Sequence, residues 1–176
     1  MIADEKRTPD IGSNARTSVA VRPGILIVDD DPIIRKIMER HMQLSFPEAR
    51  VETTADPVPI PGYDIYLLDN DFDGRKLAAD LVAGIRTIEP HALIVAMSRT
   101  LDLPGMQDLV NLGCNAVYDK GDPGRSAEAR MVMANYIAVL QERQRSQKGN
   151  SFKGLLRSIN DLLRQWNARL TQRKAE

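Results

Sequence analysis

Four short apolar runs punctuate the chain, and each empties into polar residues. Gly24 to Val28 (G-I-L-I-V) runs into Asp29, Asp30 and Asp31, and Ile65 to Leu68 ends at Asp69. Ala92 to Met97 (A-L-I-V-A-M) stops at Ser98, and Asn115 to Asp119 gives way to Lys120. Runs too brief for a helix and bounded by turn residues are the pattern of parallel strands buried on both faces. A weaker stretch, about Arg50 to Thr54, predicts one further strand.

Between these runs the period changes to that of a helix. Pro32 is suited to a first helical position and Asp31 to its N-cap, ahead of Ile33, Ile34, Ile37, Met38 and Met42 at helical spacing. Leu77, Leu81, Ile85 and Ile88 predict a second helix ending near Pro90. Pro104 to Leu112 predicts a third, closed by Gly113. Asp122 and Pro123 open a long helix with Ala129, Val132, Met133, Tyr136, Ile137 and Leu140 on one face and a polar continuation to Gln147. Ser151 can cap a last helix, to Lys174, with an apolar stripe from Leu155 to Leu170 that includes Trp166. By contrast, Pro57, Pro59 and Pro61 leave no room for a helix between the second and third strands.

The pattern predicts an α/β fold, a doubly wound five-stranded parallel sheet with a C-terminal helical extension. The expected organisation is a flexible N-terminal arm over 1–22, a domain over 23–141 and the helical extension over 142–176. At 176 residues there is length for one core plus extensions, and 43 % hydrophobic content is enough to fill it.

Charge and cysteine content narrow the function classes. The formal net charge is zero, which argues against a whole-domain nucleic-acid footprint, although residues 142–176 hold nine Lys or Arg against three Asp or Glu. The single cysteine, Cys114, cannot form an internal disulfide and is expected to act as a small buried hydrophobe. His41 and His91 lie far apart, so zinc-type ligand spacing is absent. No stretch approaches the roughly 18 apolar residues of a membrane span, and the expected location is the cytoplasm.

The ends of the strands carry the candidate chemistry. In one parallel sheet, Asp29, Asp30, Asp69, Ser98 and Lys120 fall on one edge, where ligands of open α/β sheets collect. Crowded carboxylates either rise in pKa or hold a cation, and hard oxygen donors suit Mg²⁺ shared with phosphate oxygens. A serine hydroxyl and a lysine ammonium can then hold the other oxygens of a phosphoryl group on Asp69.

This order of Asp-Asp, Asp, Ser and Lys resembles the receiver domain of two-component response regulators. The resemblance covers about Gly24 to Leu140. It is carried by I-L-I-V-D-D at Ile25 to Asp30, Y-D-I-Y-L-L-D at Tyr63 to Asp69, V-A-M-S at Val95 to Ser98, and Lys120 after G-C-N-A-V-Y-D. It implies a flavodoxin-like sheet of order 2-1-3-4-5, with Asp69 as phosphoacceptor from a partner histidine kinase or phosphotransfer protein. It implies Mg²⁺ held by Asp29, Asp30 and Asp69 with the main-chain carbonyl of Asp71, and Ser98 and Lys120 on the phosphoryl group. Such a chain is a stoichiometric acceptor rather than an enzyme. The departures are specific: Gly74 arrives five residues after Asp69 with no Met-Pro, and Gly121 follows Lys120 in place of proline. Val117 stands where the family often has an aromatic residue, with Tyr118 next to it and expected to face the other way.

Three other readings compete. Asp69 to Gly74, with Asp80, matches much of an EF-hand loop, but that motif needs a helix where an apolar strand stands. A phosphatase of the haloacid dehalogenase type would use Asp69 and Asp71 as D-x-D, yet its paired acids come late in the chain and here they come first. That comparison suggests that Asp71 orients water toward an acylphosphate. The third is a receiver-shaped interaction module that is never phosphorylated. Output is expected through protein contacts of the C-terminal helices, either with a second copy or with a partner protein. Direct DNA binding is not expected, and an anionic membrane surface is the less favoured target of the basic helix.

Overall fold

The computed structural model describes residues 22–146 other than 73, 75–77, 100–102 and 122. Residues 1–21 of the expected N-terminal arm over 1–22, the Ser151 to Lys174 helix, Leu77 and Asp122 lie outside the described residues.

Five strands form one sheet: β1 (Gly24–Val28), β2 (Arg50–Thr54), β3 (Ile65–Asp69), β4 (Leu93–Ser98) and β5 (Ala116–Asp119). They are parallel, in the order β2-β1-β3-β4-β5. Four helices accompany them: α1 (Pro32–Ser45), α2 (Ala78–Ile88), α3 (Leu103–Asn111) and α4 (Pro123–Ser146). The sheet therefore has the expected order 2-1-3-4-5. The 141/142 position falls inside α4.

Every residue of β1, β3, β4 and β5 is buried, so their side chains alternate between two apolar layers. One layer holds Leu26, Val28, Tyr66, Leu68, Ile94, Ala96 and Val117 under Leu81, Val82 and Ile85 of α2 and Leu109 of α3. The other holds Ile25, Ile27, Ile65, Leu67, Val95, Met97 and Tyr118 under Met38 and Met42 of α1 and Ala129, Met133 and Ile137 of α4. Val117 and Tyr118 thus face opposite layers, as their adjacency requires.

Helix ends follow their residue chemistry. The Asp31 Oδ1 accepts from the main-chain N–H of Ile33 at 2.8 Å and of Ile34 at 3.2 Å, with Pro32 opening α1. At the end of α3, Gly113 has φ +102°, and the Cys114 N–H reaches the Leu109 carbonyl at 3.0 Å. That left-handed turn brings the chain straight into β5. Of the α1 residues at helical spacing, Met38 and Met42 are buried and Ile34 is partly so, but Ile33 and Ile37 are 68 % and 45 % exposed. With Leu44 they form a stripe turned away from the sheet, because the apolar arc of α1 is wider than its contact.

No helix lies between β2 and β3. The connection is held instead by Ile60 packed on the first layer, the Tyr66 hydroxyl donating to the Ile60 carbonyl at 2.6 Å, and the Gly62 N–H donating to Glu89 at 2.8 Å.

Candidate phosphoacceptor site

The register of the sheet assembles the site. Val28 pairs with Leu68, so Asp29 and Asp69 emerge side by side, and the pairing of Asp69 with Met97 puts Ser98 next along the edge. Ser98 pairs with Asp119, and the Lys120 N–H donates to the Ser98 carbonyl at 2.8 Å, which carries the lysine to the same rim. Asp30, Asp31, Asp69, Asp71, Gly74, Ser98, Arg99 and Lys120 line a cavity of about 280 Å³ there.

Lys120 is the electrostatic centre. Its Nζ lies 2.6 Å from Asp29 Oδ2 and 2.9 Å from Asp69 Oδ2, and all three side chains are less than a tenth exposed. The other Asp29 oxygen accepts from the Asp31 N–H at 3.0 Å, and Asp69 Oδ1 accepts from the Asp71 N–H at 3.3 Å. Burial pushes the Asp69 carboxyl above its ordinary value. Lys120 and the Asp71 N–H oppose that rise, while the charge of Asp29 adds to it. Ser98 is buried beside them.

Asp29, Asp30 and Asp69 offer carboxylate oxygens that all lie within 4.8 Å of one another. An oxygen-only donor set of this size fits Mg²⁺. The exposed Asp71 carboxylate is not in that group, so its expected contribution is confined to the main chain. Cys114 is buried just ahead of β5, 16 residues after Ser98, and burial pushes its thiol up to about 12, which leaves it inert at neutral pH.

Two arginines escaped the sequence reading. Arg35 donates to the main-chain carbonyls of Asp29 and Asp30 at 2.6 and 2.9 Å and so fixes the acidic turn from inside α1. Its signal was its place one helical turn after the N-cap. Arg99 stands at the cavity mouth, 3.5 Å from Asp31 Oδ2, and its signal was only that it follows Ser98 at a strand end.

No protein-family model and no curated protein matches the chain. Solved structures do. The BeF3-activated receiver domain of DrrB, a Thermotoga maritima response regulator, superimposes with a TM-score of 0.57 at 15 % identity, over 67 % of this chain and 99 % of that one. A CheY-like response regulator receiver domain protein from Methanospirillum hungatei gives 0.56 at 18 % identity, over 70 % and 99 %. A LuxR-family two-component response regulator from an Aurantimonas species gives 0.57 at 20 % identity, over 67 % and 86 %. At these identities the likeness speaks for architecture, and with the sheet order and the strand-end acids it leads to one conclusion: the chain has the fold of a response regulator receiver domain.

Proposed function

We propose that this protein is a response regulator that accepts a phosphoryl group on Asp69 from a histidine kinase or phosphotransfer protein. The observation that carries the reading is the contact of Lys120 with both Asp29 and Asp69, beside Asp30 and Ser98, in one cavity open to solvent. A carboxylate oxygen of Asp69 attacks the phosphorus of the donor phosphohistidine. The P–N bond breaks, its electron pair stays on the imidazole nitrogen, and that nitrogen takes a proton from solvent.

Each neighbour has a part in this step. Lys120 can follow the negative charge from the Asp69 carboxylate to the arriving phosphoryl oxygens, and Ser98 can donate to another of them. Asp29, Asp30 and Asp69, with the Asp71 carbonyl, would hold Mg²⁺, whose charge offsets that of the phosphoryl oxygens. Arg35 keeps the Asp29–Asp30 turn in place through its carbonyls. The protein supplies positioning and charge, and each molecule accepts one group rather than turning over a substrate. Asp71, exposed and two residues past the acceptor, orients water, so Asp71→Asn slows loss of the phosphoryl group.

Labelling with a phosphate donor and Mg²⁺ tests the reading. Wild type takes up label and Asp69→Asn does not; equal labelling of both, or none in wild type, rejects Asp69 as acceptor. Output then passes through protein contacts of the segment over 142–176.

A further inference from the structure

Arg99 lines the cavity, yet the steps above give it no part. It follows Ser98 at the end of β4, and its guanidinium meets Asp31, which follows β1. The sheet order puts β3 between those two strands. With neighbouring strands about 4.8 Å apart, the side chain must cross the end of β3, where Asp69 sits. Arg99 therefore shares with Asp69 the cavity in which a phosphoryl group would arrive.

The two cations of the site are held very differently. Lys120 is buried, with two short contacts to carboxylates. Arg99 is 60 % exposed, and its 3.5 Å pair with the 41 % exposed Asp31 is long and screened by water. A phosphoryl group offers it more: close to two negative charges, and a pair of oxygens that match the guanidinium fork. Releasing Arg99 costs little at the other end, because Asp31 keeps its helix-capping bonds through Oδ1.

We propose that Arg99 is a phosphoryl ligand: its guanidinium leaves Asp31 for the oxygens of the incoming phosphoryl group and guides it onto Asp69. This rests on the phosphoacceptor reading and adds a specificity-determining residue to it.

The test uses the full chain with Mg²⁺ and acetyl phosphate, in which Asp69 attacks phosphorus, the P–O bond to the acyl group breaks and acetate leaves with the electron pair. Arg99→Ala raises the half-saturating donor concentration about tenfold, the size of one charge-assisted hydrogen bond, while the maximal rate changes less. Arg99→Lys falls between the two. Beryllofluoride with Mg²⁺, followed by fluorine NMR, binds Arg99→Ala correspondingly more weakly, a readout free of the chemical step. Urea unfolding of Arg99→Ala matches wild type, so a folding defect does not account for the change. Equal half-saturation in wild type and Arg99→Ala overturns the proposal while leaving the acceptor intact, and so does a lower value in Arg99→Ala, which would make the arginine only an obstruction. Absence of labelling and of beryllofluoride binding in wild type itself removes the acceptor reading, and this inference with it.

Discussion

Lys120 faces two carboxylates in a pocket that excludes most water, so its removal is the severest single change at the site. Lys120→Met leaves Asp29 and Asp69 as uncompensated buried charges and is expected to cost about 3–5 kcal/mol in metal-free urea unfolding. The sign with pH follows from Asp69. Burial already raises its carboxyl and Lys120 holds it down, so in the variant it rises further. The penalty then shrinks as pH falls through that raised value and the proton neutralises the charge. Asp31 behaves oppositely. The N–H groups of Ile33 and Ile34, and then Arg99, hold its carboxyl below 3.8. Its capping contribution is complete above that value and is lost as pH falls through the folded one. Melting temperatures of wild type and Asp31→Asn should differ by a constant amount near neutrality and converge or cross only in strong acid. Asp29, Asp30, Asp69, Ser98 and Lys120 were legible in the sequence because each ends an apolar run. Arg35 and Arg99 were not, since an arginine that reaches along or across a sheet edge leaves no local pattern.

The connection between β2 and β3 shows how one element can be absent and its neighbours still be served. Three prolines made the missing helix legible. What fills the gap was not, because it depends on contacts far apart in sequence. Pro59 lies against Gly84 of α2, close enough that a methyl group on Gly84 would overlap its ring. Glu52 and Thr54 share the face of β2 on the side of Leu26 and Val28, where the helix is lacking, and they are polar and not buried. Glu52 instead takes the Tyr63 hydroxyl at 2.5 Å, and the Arg50 guanidinium lies over the Tyr63 ring at 4.6 Å. The polar alternation of R-V-E-T-T, which made this strand look weak, is the mark of an edge with one bare face. Gly84 gives the test. Glycine to alanine inside a helix ordinarily stabilises by about 1 kcal/mol. Here Gly84→Ala is expected to destabilise by about 1–3 kcal/mol through overpacking against Pro59. Urea unfolding of Gly84→Ala with Pro59→Ala should recover most of that loss; a stabilised single variant would mean that the loop simply moves aside.

At the scale of the whole molecule, α4 is longer than the sheet it covers. Its Tyr136 hydroxyl donates to the His91 carbonyl, just before β4 begins, so the fourteen residues from Pro123 to Tyr136 already span the strands. The ten residues from Ile137 to Ser146 add about 15 Å at 1.5 Å per residue. Val139 is 7 % exposed yet belongs to neither apolar layer, and it lies on the opposite side of the helix from Ile137. The lower half of α4 is therefore more than a solvated strut. Among the described residues no helix is long and apolar enough to cross a membrane. The segment over 142–176 combines leucines at helical spacing with nine basic and three acidic residues, a net of six positive charges. If two copies pair through that stripe, they do so against their own repulsion. Salt, which screens such charges beyond about 10 Å at 0.1 M, should then tighten the dimer. A contact with an acidic partner would weaken under the same change. Light scattering on the full chain across salt concentrations is expected to show a dimer favoured by salt, and a chain ending at Ser146 should stay monomeric. A full-length monomer at every ionic strength would take the second copy out of the output step and leave a different protein as the target of the basic stripe.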